Sequence, residues 1–323
     1  MLARLACLLL AAALAWPAAA QTFPQSFPSR PIRIIVVYPP GGTSDAVTRL
    51  LAEKLTPALG QPVVVENRGG AGGAIGVEAM AKSAPDGHTL AFSAISPLTL
   101  LPHVGKVPYD PLTDIAAVAS VMYSPVYLLA TPAFTGKDFA DLAAQAKAKP
   151  GALRAGTSGI ATLGHLMVEQ LRLAGIGLTH VPYRGGGQVI TDAAGGQFEL
   201  FTANPSPGVN ALIQQGKFRI LAVAAPRRLA ALPAVPTMIE LGYPASNYTS
   251  HFGIFAPRRT PETVLKRLHA DINAALASPE VIERLMKLDN VVAATSTEQF
   301  SQVIRREYEA NARIVAKAGI RSE

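Results

Sequence analysis

The sequence has one cysteine, Cys7, one tryptophan, and only 6% aromatic residues. Cys7 falls in a segment expected to be removed, so the working chain carries no thiol. Disulfides, thiol nucleophiles and cysteine-bound metal are excluded together. His88, His103, His165, His180, His251 and His269 show no H-E-x-x-H or comparable spacing, and no metal or cofactor is expected. Beyond residue 20 no apolar run approaches the roughly 20 residues that span a bilayer. The formal charge is +7, but Arg227-Arg228, Arg258-Arg259 and Arg305-Arg306 are isolated doublets without interleaved aromatics. That pattern fits solvated faces rather than a nucleic-acid surface, while a mild positive field would attract anionic solutes.

Residues 1–20 have the three parts of a secretory signal. Arg4 is the basic element, residues 5–14 are apolar, and Ala18-Ala19-Ala20 offers an A-x-A cleavage site. Cleavage is expected after Ala20, releasing a soluble protein outside the cytoplasm. Lipid anchoring is excluded because the apolar stretch follows Cys7 instead of preceding it. The remaining chain of about 300 residues buries enough apolar surface to need no staple and suggests two domains.

Residues 32–38 read IRIIVVY, a β-branched run of the kind found in a buried parallel strand. It ends in Pro39-Pro40-Gly41-Gly42-Thr43-Ser44-Asp45, after which Val47, Leu50, Leu51 and Leu55 recur at helical spacing. The unit repeats. Residues 63–65 lead into Asn67-Arg68-Gly69-Gly70-Ala71-Gly72-Gly73, residues 89–92 into Ser93-Ala94-Ile95-Ser96, residues 153–155 into Gly156-Thr157-Ser158-Gly159, and residues 179–183 into Arg184-Gly185-Gly186-Gly187. Alternating strands and helices predict an α/β protein with parallel sheets. Two extended apolar segments, 126–130 and 252–256, are expected to mark crossings between lobes. The second domain would then be residues 123–250, inserted into a first domain of 21–122 and 251–323. C-terminal helices at 261–276, 279–288 and 298–317 would return to cover the first sheet.

Loops beyond the carboxyl ends of parallel strands are where ligands bind in such folds. Helix N-termini there present unpaired N–H groups and partial positive charge, so an anion can be held without a lysine. Nucleotide motifs are absent: Gly70-Ala71-Gly72 is followed by Ile75 where G-x-G-x-x-G needs glycine, and Gly136-Lys137 is followed by Asp138 where a P-loop needs Ser or Thr. Gly156-Thr157-Ser158-Gly159-Ile160 fails the G-x-S-x-G elbow at its last residue. A serine hydrolase built on Ser158, His165 and Asp192 is the weaker alternative. His165, near a helix start, would either brace its loop or face a ligand.

Taken in order, these motifs resemble the periplasmic solute-binding receptors of tripartite tricarboxylate transporters, the TctC or Bug receptors. The residues that carry the resemblance are Arg30-Pro31-Ile32-Arg33, Pro40-Gly41-Gly42 with Asp45, Glu66-Asn67-Arg68 running into Gly70-Ala71-Gly72-Gly73, Pro85-Asp86-Gly87-His88, Pro108-Tyr109-Asp110-Pro111, His165-Leu166, His180-Val181-Pro182-Tyr183-Arg184-Gly185 and Leu232-Pro233-Ala234-Val235-Pro236-Thr237. The resemblance implies a two-lobed periplasmic-binding-protein (Venus flytrap) fold, each lobe a mainly parallel sheet flanked by helices. It further implies a small carboxylate held between the lobes, no enzymatic activity, and delivery by a monomer to membrane transporter subunits of the tripartite type. The same closure would serve a periplasmic sensor with a membrane signalling partner.

Carried over residue by residue, the site comprises Tyr38, Pro40, Gly41, Gly42, Thr43, Asp45, Gly72, Ser93 and Ser96 from the first lobe. Thr157, Ser158, Thr162, His165, Arg184 and Asn204 come from the second. Two departures stand out. Tyr38-Pro39-Pro40 replaces the more usual Phe-Pro-Ala, and Thr202-Ala203-Asn204-Pro205-Ser206 lacks the aspartate that many members use to meet a ligand amino group. A ligand without an ammonium group is therefore expected.

Overall fold

The computed structural model describes residues 27–320. The expected signal sequence and its cleavage site lie outside the described residues. Two sheets organise the chain. The first has strands β1 (Ile32–Val36), β2 (Val63–Asn67), β3 (Thr89–Ala94), β4 (Ile115–Ser124), β10 (Ser250–Pro257) and β11 (Val291–Val292), in the order β11-β4-β10-β3-β1-β2. The second has β5 (Val126–Ala130), β6 (Arg154–Thr157), β7 (Thr179–Pro182), β8 (Leu200–Ala203) and β9 (Arg219–Ala224), in the order β7-β6-β8-β5-β9.

Each sheet is a middle layer because its strands are apolar on both faces. Along β1, Ile32 and Ile34 enter one cluster with Leu51 of α1 (Thr43–Leu59), Ile272 of α9 (Glu262–Leu276) and Leu285 of α10 (Pro279–Met286). Ile35 and Val37 face the other way, onto Val77 and Met80 of α2 (Ala74–Ala81), Leu98 of α3 (Ser96–Thr99) and Phe300 and Ile304 of α11 (Thr297–Ala318). A short helix, α4 (Leu101–Val104), extends this second layer. In β5, Val126, Leu128 and Ala130 meet α5 (Phe139–Ala148) and α6 (Leu163–Leu173), while Tyr127 and Leu129 meet α7 (Gly186–Ala194) and α8 (Pro207–Gln214). Period-two burial on both faces is what a three-layer α/β lobe requires. The C-terminal helices do cover the first sheet, α9 and α10 on one face and α11 on the other.

The expectation of mainly parallel sheets is corrected to mixed ones. β1 pairs parallel with β2 and β3, and β6 with β7 and β8, but β10 runs antiparallel to β3 and β4, and β5 antiparallel to β8 and β9. The cause is the crossing. A strand entering a lobe from the other one runs away from the cleft, opposite to strands whose carboxyl ends carry cleft loops. The two apolar segments expected to mark crossings are these entering strands, one in each sheet. The chain passes between sheets just before them, at Pro125 and in residues 225–249. Asn204 ties both passages, its Nδ2 donating to the Pro125 carbonyl (2.8 Å) and to Ser250 Oγ (2.9 Å).

Among the described residues no helix is long and apolar enough to cross a membrane. Gly253, in the middle of β10, lies under the fully buried Phe300 ring and 2.8 Å from the Ala119 carbonyl as measured from an added Cβ. Gly253→Ala should destabilise the protein by about 1–3 kcal/mol through overpacking. Urea denaturation checks this, and an unchanged midpoint would contradict it.

Candidate ligand-binding site

The loops after β1, β3, β6 and β8 and the start of β10 meet in a cleft between the lobes. From the first lobe Tyr38, Gly42, Thr43 and Ser96 line it, and from the second Ser158, Thr162 and Asn204. The first turns of five helices contribute to its walls: Gly42, Thr43 and Ser44 at α1, Ser96 at α3, Thr162, Leu163 and Gly164 at α6, Gly186 at α7, and Ser206 at α8. Leading N–H groups in a helix have no intrahelical acceptor and carry the positive end of its dipole. Thr162 caps α6 by accepting from the His165 N–H, and Ser206 caps α8 by accepting from the Val209 N–H, whereas α1 and α7 begin at Gly42 and Gly185 with no side-chain cap. No side chain with a formal charge lines the cleft among the described residues.

The other expected residues sit around this lining and hold it. Asp45 Oδ2 accepts the Gly41 N–H (3.1 Å) and its Oδ1 accepts from Arg49 Nε (3.0 Å). Burial raises the Asp45 pKa, but Arg49, the Gly41 N–H and Asn67 together outweigh it and keep the carboxyl below its ordinary range. Its charge is thus spent inside the loop, where Gly41 takes φ +87°. Burial pushes the Tyr38 phenol up to about 12, against the opposing hydroxyls of Ser96 and Ser93, so it stays a neutral donor. Ser93 is fully buried and donates to the Ala94 carbonyl (2.6 Å). Arg184 is exposed and outside the lining; its backbone N–H donates to Gln188 Oε1 (3.4 Å).

Pro40 and Gly72 belong to the contact between lobes. A Cβ on Gly187 would come within 2.7 Å of the Pro40 carbonyl, and one on Gly72 within 2.9 Å of the Ile160 carbonyl. Across the same cleft the Thr43 hydroxyl donates to the Pro205 carbonyl (2.8 Å), and further out the Tyr127 hydroxyl donates to Asp289 Oδ2 (2.7 Å). The lobes are therefore closed on each other. Glycine at these places lets one backbone approach another.

The hydrolase alternative does not assemble. His165 Nδ1 accepts the Ala161 N–H (3.2 Å), its Nε2 lies 3.9 Å from Glu169, and Asp192 accepts from the Tyr183 hydroxyl (2.6 Å). Of the two roles left open for His165, it takes the bracing one. Thr157 likewise turns inward, bonded to His180 Nε2 (2.7 Å). Sequence reasoning missed Ser206, Ser250, Phe252 and Ile190, which also line the cleft. Ser206 was legible as an N-cap ahead of Pro207. Ser250 and Phe252 reach the site from the amino end of a strand, which a rule about carboxyl ends passes over.

Residues 47–320 match the family described as tripartite tricarboxylate transporter family receptor. This chain belongs to that family. It is 37% identical to protein BugT of Bordetella pertussis over 314 residues, 95% of this chain and 94% of the relative. The solved periplasmic binding protein BugD superposes with a TM-score of 0.87 at 30% identity, covering 92% of this chain and 100% of that one. MatC of Rhodopseudomonas palustris, solved with bound malate, superposes with a TM-score of 0.84 at 29% identity over 90% and 100%. The architecture is the two-lobed periplasmic-binding-protein fold.

Two predictions come from this geometry. Gly187→Ala keeps α7 but sets a methyl against the Pro40 carbonyl, so small-angle scattering should show a larger radius of gyration with an unchanged melting temperature; an unchanged radius would contradict the contact. The second concerns pH. Burial lowers His165 despite Glu169, burial and His165 lower His180 to about 3, and burial lowers His251 to about 4. The folded state thus binds fewer protons than the unfolded chain below about pH 6.5, and stability falls as pH drops from there toward 4, by up to about 1.4 kcal/mol per pH unit for each histidine. Glu307, raised to about 7 by burial, acts in the opposite sense. Melting temperatures between pH 7 and 4 should fall, and the His180→Gln variant should fall less; equal slopes would contradict the assignment.

Proposed function

We propose that the chain is exported to the periplasm and there captures a small organic carboxylate between its lobes, delivering it to membrane subunits of a tripartite tricarboxylate-type transporter. It does so as a monomer, with a first lobe of residues 21–122 and 251–323 and a second of 123–250, apart from the strand ends Tyr123, Ser124 and Ser250, which belong to the first sheet. The observation that carries this reading is the cleft itself: helix N-termini and hydroxyls from both lobes, and no charged side chain. Such a lining favours an anion. Malate in the related MatC structure supports the same ligand class.

The ligand-binding residues are taken to be Tyr38, Pro40, Gly41, Gly42, Thr43, Asp45, Gly72, Ser93, Ser96, Thr157, Ser158, Thr162, His165, Arg184 and Asn204. Those on the cleft wall touch ligand, and the others hold the wall, except Arg184, which is exposed outside it. The energetics suffice. Micromolar affinity needs about −8 kcal/mol. Hydrogen bonds to a charged group contribute about 1.5–3 kcal/mol each, and a helix terminus about 0.3–1. Two gripped carboxylate ends with apolar burial on Val126, Ile190 and Phe252 reach that total after ordering costs.

An ammonium group finds no charged partner among the described residues of the cleft: no carboxylate lines it, and Asn204, whose Nδ2 is engaged at the two crossings, offers only a neutral oxygen. In a thermal-shift screen of mono-, di- and tricarboxylates, aromatic acids and nicotinate-like compounds, at least one plain or hydroxylated acid should raise the melting temperature by linkage. Aspartate and glutamate should not. A screen without any stabilising acid would sink the carboxylate reading, and tight aspartate binding in calorimetry would sink its refinement.

A further inference from the structure

Residues 157–162, between β6 and α6, have two duties. Ser158 and Thr162 line the cleft, while the Ile160 carbonyl meets Gly72 and Ala161 packs into the apolar cluster of the first lobe. The segment is bent hard, with Ala161 at φ +55°, a left-handed conformation that a residue with a Cβ keeps only under constraint. Two histidines supply constraints from behind. The Ala161 N–H donates to His165 Nδ1 (3.2 Å), and His180 Nε2 bonds to Thr157 Oγ1 (2.7 Å), which in turn accepts the Gly159 N–H (3.3 Å). The two imidazoles stack on each other, centroids 4.0 Å apart and planes 10° from parallel.

We propose that His165 and His180 are positioning residues for the cleft: their stack holds residues 157–162 in the shape that presents Ser158 and the start of α6 to ligand, and does so only while both rings are uncharged. The proposal rests on the carboxylate-receptor reading for what the loop binds, though not for how the loop is held. The chemistry is direct. A protonated Nδ1 cannot accept the Ala161 N–H, and would set one N–H against another. Two imidazolium rings at the stacking distance would also repel each other. The charged groups facing the pair are on α6. Glu169 lies 3.9 Å from His165 Nε2 and favours the charged ring, but it is itself held by Arg172 Nε at 2.8 Å. Among the described residues the strand side adds no charged group that acts on His180 other than His165. Acid would therefore loosen one wall of the cleft before it unfolds the lobe.

Hydrogen exchange of the mature, ligand-free chain tests this without knowing the natural ligand. Exchange in residues 157–163, corrected for its intrinsic pH dependence, is followed from pH 7 to 3.5, with circular dichroism marking any global unfolding. In the wild type a step of faster exchange should precede unfolding. His165→Leu should exchange about fivefold to tenfold faster already at pH 7, the effect of one lost buried hydrogen bond. His165→Asn, whose Oδ1 can accept from Ala161, should restore protection, and the double variant His165→Asn/His180→Gln should abolish the acid step. Unchanged exchange in His165→Leu, an acid step that persists in the double variant, or a loop that opens only with global unfolding would each overturn the proposal; if His165→Leu does not fold, the double variant decides. Malate serves as a separate probe at pH 7. Failure of malate and the rest of the acid panel to stabilise the wild type would count against the carboxylate reading, with the exchange result still deciding the positioning role.

Discussion

Helix N-termini facing one another across a closed cleft, with no cationic side chain between them among the described residues, are the constraint on which the rest of the structure turns. Each brings N–H groups that the helix cannot satisfy, and closure removes much of the water that would otherwise do so. Hydroxyl caps at α6 and α8 relieve part of that demand, and the glycine starts of α1 and α7 leave theirs to an occupant. An anion between the lobes meets the need from both sides at once. The carboxylate best placed to compete, Asp45, is bound within its own loop by Gly41 and Arg49.

Closure and chain path are linked through the same residues. Because each lobe takes in a strand from the other, β5 and β10 run against their neighbours, and their amino ends lie at the cleft. Asn204 holds the two crossings together from the cleft wall, which places a cleft-lining residue between them. The glycine loops serve two purposes. Those at Gly41 and Gly42 shape the start of α1, while those at Gly72 and Gly187 let backbone meet backbone between lobes and Gly185 makes room for the Pro39 ring.

Much of this was legible in the sequence, for physical reasons that can be named. The run IRIIVVY had to be a strand buried on both faces, and Pro39 to Asp45 had to turn it into a helix. The C-terminal helices showed their apolar stripes clearly. β4 was not marked, since Ile-Ala-Ala-Val-Ala-Ser-Val is rich in small residues that fit helix and strand alike. The antiparallel entry of β5 and β10 was hidden too, because strand direction is set by which lobe the chain comes from and leaves no local pattern. Of the site, residues beside helix starts were found, and those contributed by the start of β10 were not. The bracing of His165 and Thr157 by partners far along the chain, His180 above all, could be seen only once the sheet had brought β6 and β7 side by side.

The central claim is that backbone N–H groups and hydroxyls from both lobes grip an anion that no charged side chain touches. A crystal structure with a stabilising acid bound is its most direct test. The account predicts carboxylate oxygens within about 3 Å of N–H groups at the starts of α1 and α7 and of hydroxyls such as Ser96 and Ser158. A carboxylate paired instead with an arginine or lysine, or an acid bound away from the cleft, would contradict it.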